Sequence, residues 1–446
     1  MSDVTLLAEV YLWGTLIGFV SWDEEKELSF FEYHKDFIDH APVDLSPIKM
    51  PRSKDIYSFP ELAKRTFHGL PGMLADSLPD KFGNALIDVW LATQGRKSNF
   101  LNPVERLCYV GKRGMGALEF KPAKYKGRLN DVPLEIQEMV KLASSILSSK
   151  ENVTENLKDK EDKKLKEALT NLLVVGTSAG GARAKCIIAY NEKNGEVRSG
   201  QIKTTKDFSY WLLKLDGVSN NRDKELDDSQ GYGRIEYAYY LMARDSGIEM
   251  MESRLLEENH RAHFMTKRFD RTNGGNKLHM QSLCALGHYD FNMAGSYSYE
   301  QAMEMIRLIV KTDVKHALEQ LFRRAVFNIL GRNQDDHTKN IAFLMDRKGN
   351  WSLSPAYDMT YSYNPNGDWT SKHQMSINGK RDDFTINDLI ELSEKADLKK
   401  SQALKIIKEI EHVFAQWSSY AMKGKVFNEH QIVIKKNLRK FIKNLY

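Results

Sequence analysis

The 446-residue sequence predicts an α+β fold in two lobes, with an extra small β-rich subdomain at the N-terminus and a mostly helical C-terminal lobe. Three observations lead to it. Apolar runs broken at Trp13-Gly14-Thr15 mark a hairpin near the start. In the middle, the runs LLVV and CIIAY flank a glycine-rich loop. Apolar residues then recur at three- and four-residue steps through much of the last third. A chain of this length exceeds one hydrophobic core, so two or three packed units are expected.

In chain order, Val10–Trp13 and Leu16–Val20 read as paired strands, and Gly116–Phe120 as the strand that closes the first region. Between them, Phe59 to Ala92 carries helical patterning, with Leu74, Leu78, Phe82 and Leu86 at four-residue steps. Residues 1–125 thus form the N-terminal subdomain, and residues 126–168 a charged helical linker. In the linker Pro133 opens a helix through Leu147, and Ser149–Ala168 mixes both signs of charge as a solvated stretch does. Residues 169–266 hold the loop, its flanking strands, the strand Tyr210–Leu215 and a helix from Arg234 to Asp245. Residues 267–446 begin at the end of the strand-like run His263–Phe269 and are mostly helical. Val314, Leu318, Leu321, Ala325 and Leu330 mark one long helix ending at Gly331. A polar loop, a hairpin (IAFLMD, RKGN, WSLSP) and further helices follow.

Hydrophobic residues at 41% and charged residues at 28% fit a globular chain and argue against global disorder. A formal charge of +5 over this length is too mild to imply direct binding to nucleic acid or to an anionic membrane. Cys108, Cys186 and Cys284 lie far apart, giving neither a disulfide framework nor a CxxC pair, so a reducing compartment is expected. Leu6 to Val20 lacks the basic start of a signal peptide, and it is too short and interrupted to span a bilayer. The expectation is a cytoplasmic protein.

The segment from Gly176 to Lys185, GTSAGGARAK, admits three readings. G-x-S-x-G matches the elbow of serine hydrolases, but that turn needs a following helix, and KCIIAY alternates as a strand. GxxxxG matches the start of a Walker A loop, yet Ala182-Arg183 stand where Lys and Ser/Thr belong. The third reading is a strand–loop–strand cover whose amides, with Arg183 and Lys185, face polyphosphate. Many such loops are only turns, so the neighbouring motifs decide.

The strongest signal is Asn333-Gln334-Asp335-Asp336-His337-Thr338-Lys339-Asn340. Asp335 and Asn340 have the D-x-x-x-x-N spacing of a protein-kinase catalytic loop, where the Asp accepts the hydroxyl proton and the Asn holds Mg²⁺. Tyr357-Asp358-Met359 follows the hairpin at the place of the second metal-binding aspartate of kinases. Asp and Asn also cap turns, but Asp358 and an upstream lysine weigh against that reading. Zinc is a weaker rival, since His337 has no second His or Cys at ligand spacing. The lysine is Lys214, inside the apolar run Trp211–Leu215, where it suits the strand lysine aimed at the α and β phosphates. Glu236 on the next helix is its candidate partner; the plainer readings are an edge-strand lysine and an exposed helix carboxylate. Lys267–Phe269 suits a hinge offering backbone groups to adenine, with Asp270 near enough to reach ribose; a plain charged strand end is the equal alternative. Ser178, Ala179, Gly180, Gly181, Ala182, Lys185, His337 and Lys339 complete the nucleotide-binding candidates.

Taken in order, S-A-G-G-A-R-A-K, W-L-L-K-L, E-Y, K-R-F-D-R, D-D-H-T-K-N, S-P-A-Y-D-M and S-I-N-G-K-R-D-D-F resemble the HipA family. These are serine/threonine kinase toxins of bacterial toxin–antitoxin pairs. The hairpin and L-P-D-K at Leu78–Lys81 resemble the family's first subdomain, so the resemblance spans nearly the whole chain. It implies a two-lobed protein-kinase-like fold using ATP and Mg²⁺. It places the base at Asp335, metal ligands at Asn340 and Asp358, the ATP lysine at Lys214 and adenine at Lys267–Phe269. It also implies autophosphorylation at Ser178, a protein substrate such as an aminoacyl-tRNA synthetase, and a small DNA-binding, HipB-like antitoxin. Nucleic acid would then be met only through that partner. Asp336 stands where a glycine can follow the base, and spacing favours Asp335 over it. The alternative is a catalytically idle corepressor, against which the intact Lys214, Asp335, Asn340 and Asp358 weigh.

Overall fold

Trp13 and Gly14 both take positive φ, 51° and 88°, as a two-residue hairpin turn requires. They join β1 (Leu7–Leu12) to β2 (Thr15–Asp23) in the computed structural model of the chain. The structure describes residues 6–93, 95, 101–122, 134–148, 163–176, 183–201, 206–218, 230–272 and 275–441. Contacts divide the chain into two units: Met1–Gln230 with Leu256–Met280, and Gly231–Leu255 with Gln281–Tyr446.

In the first unit, β3 (Leu28–Tyr33) and β4 (Leu118–Lys121) complete an antiparallel sheet of order β3-β2-β1-β4. Ala8, Val10 and Leu12 point inward from β1, as its alternating pattern demands, and Leu118 and Phe120 face Leu12 and Val10 from β4. The stretch 59–92 is not one helical run. It forms short helices at Lys64–Phe67 and Gly72–Ala75, then α1 (Lys81–Thr93). His68 and Gly69 take positive φ, and Pro71 and Pro79 supply no amide donor, so the pattern breaks there. Asp80 restarts it by accepting the Gly83 amide at 2.6 Å.

LLVV, expected as a strand, lies in α3 (Lys163–Gly176), which follows α2 (Ile136–Ser148). Leu169, Leu172, Leu173 and Gly176 recur at helical spacing, and the three leucines are buried in one core with Phe82, Leu86 and Ile146. The glycine-rich segment is therefore preceded by a helix, not a strand. A Cβ on Gly176 would lie 2.7 Å from the Leu86 side chain, so a larger residue at the end of α3 would displace it. The second sheet runs β6-β5-β7-β9-β8, from β5 (Lys185–Asn191), β6 (Val197–Ser199), β7 (Phe208–Lys214), β8 (Ser253–Glu258) and β9 (Arg261–Lys267). The helices α1, α2 and α3 share their core with β5 and β7 through Cys186, Ile188, Trp211 and Leu213.

The second unit is mostly helical, as expected. Its framework is α4 (Tyr232–Asp245), α5 (Tyr299–Ile309), α6 (Val314–Leu330), α7 (Ile386–Lys395) and α8 (Lys400–Ala415). Strand β10 (His279–Ser282), whose first two residues count with the first unit, precedes a hairpin of β11 (Ala342–Met345) and β12 (Trp351–Leu353). Tyr239 of α4 packs edge-on against Phe327, Phe414 and Trp417, and its hydroxyl donates to the Gly331 carbonyl at 2.7 Å. That contact fixes the exit of α6. No helix among the described residues is long and apolar enough to cross a membrane.

His279 ties the first unit's interior to pH. It is fully buried, its Nε2 lies 3.3 Å from the Leu45 carbonyl, and burial pushes its pKa down to about 4. An unfolded histidine titrates near 6.5, so between about 6.5 and 4 the unfolded chain binds a proton that the folded one refuses. Stability contributed by the neutral ring is complete above that window and falls as pH drops through it, by about 3 kcal/mol in all. Urea unfolding across this range should show the loss, and His279→Gln should flatten it; an unchanged slope in the variant would assign the pH dependence elsewhere.

Candidate active site

Helix α6 delivers the chain to the D-x-x-x-x-N loop, and side chains rather than secondary structure then hold it. Asn333 donates to Asn328 Oδ1 at 2.9 Å and to the Asp358 carbonyl at 3.3 Å. Its own Oδ1 accepts from Ser362 Oγ at 3.0 Å, and Ser362 Oγ in turn accepts the amides of Gln334 and Asp335. Asn340 Nδ2 donates to the Asp335 carbonyl at 2.8 Å. The loop is thus closed on itself across the six residues of the motif.

The two adjacent carboxylates have opposite surroundings. Asp335 keeps 36% of its side chain exposed; its Oδ1 accepts from Trp369 Nε1 at 2.7 Å and lies 3.7 Å from His337 Nε2. Asp336 is 1% exposed and fully engaged. Its Oδ2 accepts from Tyr299 OH and faces His373 Nδ1, both at 2.9 Å, while Oδ1 accepts the Gln374 amide at 2.8 Å. Tyr299 OH also accepts from Asn328 at 2.9 Å, and burial together with the Asp336 charge pushes its pKa well up. Asp335 is open to a reacting hydroxyl, whereas both oxygens of Asp336 are engaged within the protein.

Asp358 sits at φ 53°, a left-handed conformation that turns the chain sharply after β12. Its neighbour Tyr357 donates to the Lys339 carbonyl at 2.6 Å, joining the two motifs. Asn340, Asp358, Asp336, His337 and the buried Arg324 line one small cavity. Burial lowers the Arg324 pKa to about 10, and its guanidinium donates to the Ser354 carbonyl at 2.6 Å. The donor set fits Mg²⁺. Because the Asn340 amide N–H is committed to Asp335, Oδ1 is the ligating atom it offers, beside an aspartate of the same cavity. Among the described residues no three His, Cys, Asp or Glu side chains gather as a metal-binding group. His337 packs its ring against Phe291 at 5.1 Å, and Lys339 places Nζ over the same ring at 5.2 Å.

The remaining candidates divide between the units. Lys214 ends β7 in the first unit with Nζ 5.8 Å from the Phe264 ring, and its strand register sets it opposite the buried Lys185 of β5. Lys267 ends β9, 3.7 Å from Glu192 and over the Trp211 ring, with Phe269 half-buried beyond it. Glu236 lies buried on α4 in the second unit. Ser178, Ala179, Gly180, Gly181 and Ala182 fall outside the described residues.

Asp270 requires a correction. Expected to reach ribose, it is wholly buried, and its carboxylate bonds Arg268, Arg271 and the Gly116 amide. Burial alone would raise its pKa, but the two guanidinium charges outweigh that and hold it well below the usual carboxylate range. With both oxygens taken, it fastens the end of β9 to the turn before β4. Sequence reading also missed Trp369, Ser362, Asn333, Tyr299 and His373 as neighbours of the two aspartates. These lie from 2 to 37 residues from the aspartates they neighbour, and no local spacing marks them.

Family models match both halves of the chain: the HipA N-terminal domain over residues 8–121, and the HipA-like C-terminal domain over residues 177–417. A Sinorhizobium fredii protein named "Putative kinase Y4dM" is 26% identical over 47% of this chain and 52% of its own length. A Haemophilus influenzae protein of like description is 25% identical over 28% of this chain and 39% of its own. The chain therefore spans about half, or less, of the curated relatives it matches. A chain of the solved Shewanella oneidensis MR-1 complex of HipA, HipB and operator DNA superposes with TM-score 0.64 at 17% identity. That match covers 96% of this chain and 94% of that one, and shows a shared fold. The kinase-like α+β fold expected from the sequence is the fold the chain has.

The structural role of Asp270 is open to direct measurement. Removing it strands a buried guanidinium, so Asp270→Ala should cost about 3–5 kcal/mol of stability in chemical denaturation. A loss below about 1 kcal/mol, the range of exposed pairs, would show that the carboxylate is not the fastening described.

Proposed function

Because the chain belongs to the HipA family, we propose that it is an ATP- and Mg²⁺-dependent kinase that phosphorylates serine or threonine hydroxyls of proteins. One observation carries the reading: a partly exposed Asp335 whose backbone is tied to Asn340, with Asn340 and Asp358 lining one cavity. Asp335 takes the acceptor's proton as the hydroxyl oxygen bonds the γ-phosphorus and the bond to ADP breaks. Mg²⁺ held by Asn340 Oδ1 and Asp358 would offset charge on the phosphate oxygens. Lys214 supplies a cation for the α and β phosphates, and Glu236 a carboxylate of the nucleotide site. Ser178 to Ala182, Lys185, His337 and Lys339 belong to the nucleotide site, and backbone groups at Lys267–Phe269 receive adenine. Asp336 is unsuited to be the base, because its oxygens are spent on Tyr299, His373 and Gln374.

The family and the likeness to a chain of the Shewanella complex also support a small DNA-binding, HipB-like antitoxin as partner. The substrate we propose is a component of translation, such as an aminoacyl-tRNA synthetase, met in the cytoplasm. Asp335→Asn should lower phosphate transfer about 10²–10⁴-fold while ATP still binds. Near-normal turnover in that variant, with Asp336→Asn inactive, would move the base by one residue. Self-modification is a separate proposal. Phosphate on Ser178 adds about −1.5 to −2 charges near Arg183 and Lys185 and competes with ATP for the loop. Mass spectrometry after incubation with Mg-ATP should find it on Ser178 and not in Asp335→Asn; its absence from the active parent would remove the switch alone.

A further inference from the structure

The base is held by a residue that no kinase motif names. Trp369 Nε1 donates to Asp335 Oδ1 at 2.7 Å, the length of a charge-assisted hydrogen bond. Among the described residues, Asp335 Oδ2 accepts no hydrogen bond. The backbone of Asp335 is pinned as well, its amide to Ser362 Oγ at 3.0 Å and its carbonyl to Asn340 at 2.8 Å. With main chain and Oδ1 both fixed, the carboxylate has one orientation, and Oδ2 is the oxygen it presents.

Trp369 is itself anchored to the second aspartate. Its carbonyl accepts from Gln374 Nε2, and the Gln374 amide donates to Asp336 Oδ1 at 2.8 Å. Asp335, Trp369, Gln374 and Asp336 therefore form a closed ring of hydrogen bonds, with the covalent bond between the aspartates as its last link. The His337 ring lies 6.4 Å from that of Trp369, on the side of the same carboxylate oxygen.

We propose that Trp369 is a positioning residue for phosphoryl transfer: its indole N–H occupies Asp335 Oδ1 and leaves Oδ2 to take the acceptor's proton. This rests on the reading of Asp335 as the base. A surface tryptophan packed only for its ring would need no donor directed at that carboxylate. The indole acts on the base and not on the nucleotide, so its loss slows transfer without weakening ATP binding.

The test is phosphate transfer from Mg-ATP to serines and threonines of the chain itself and of casein. Trp369→Phe keeps an aromatic ring and removes the N–H. Its rate at saturating ATP should fall about tenfold to a hundredfold, the effect of losing one hydrogen bond to a charged group. The ATP concentration for half-maximal rate should stay at the parent's value, as should the thermal midpoint. Trp369→Gln, which returns an N–H donor at similar reach, should recover part of the rate. In the Asp335→Asn background, Trp369→Phe should have no further effect. A Trp369→Phe protein as fast as the parent overturns the inference, as does Trp369→Gln being no faster than Trp369→Phe. A parent that transfers no phosphate overturns the kinase reading as well.

Discussion

A buried carboxylate organises the candidate site. Asp336 is 1% exposed, and a polar group so placed is tolerated only when its oxygens are matched. Tyr299, His373 and the Gln374 amide meet them from two distant stretches of sequence. The consequence reaches past Asp336. Tyr299 belongs to α5 and also receives Asn328 of α6, so the bond network ties both helices to the loop. Gln374 carries the tie onward to Trp369, and hence to Asp335. Asp335 can remain partly exposed and still be fixed, because its rigidity comes through its neighbour.

The first unit uses the same device for a different end. Asp270 is wholly buried between Arg268 and Arg271, and its third partner is the Gly116 amide. Such a triad adds little net stability over apolar packing, but its geometry admits one arrangement of the segments it joins. Arg268 and Arg271 both also reach the Gly114 carbonyl, so the turn before β4 is held to the end of β9. The two units thus each place a spent carboxylate next to the residues proposed to meet substrate or nucleotide.

How legible this was depended on how local the cause is. The hairpin at Trp13-Gly14, the long helix ending at Gly331 and the hairpin after Asn340 all follow from signals within a few residues, and all are present. LLVV was read as a strand because four apolar residues in a row do not reveal their period; Leu169 and the core with Phe82 and Leu86 decide for a helix. Asp270 shows the complementary failure. An acid beside a hinge looks available for a ligand until Gly116, 154 residues away, is found at its oxygen. Likewise the motif gave Asp335 and Asn340 their spacing, but nothing in it reveals Trp369, 34 residues on.

The paired aspartates carry a more general argument. A loop that must offer an ionised carboxylate to a substrate has a conflict, since exposure leaves a side chain mobile and burial removes it from reach. Two acids in succession divide the task. The buried one accepts bonds on both of its oxygens and so fixes the backbone they share. The exposed one then needs a single further contact to lose its remaining rotational freedom, and here an indole N–H supplies it while sparing one oxygen. On this view Asp336, at the position after the proposed base, is not a spare carboxylate. It is the reason Asp335 can be both accessible and ordered, and a glycine in its place would require another source of that order.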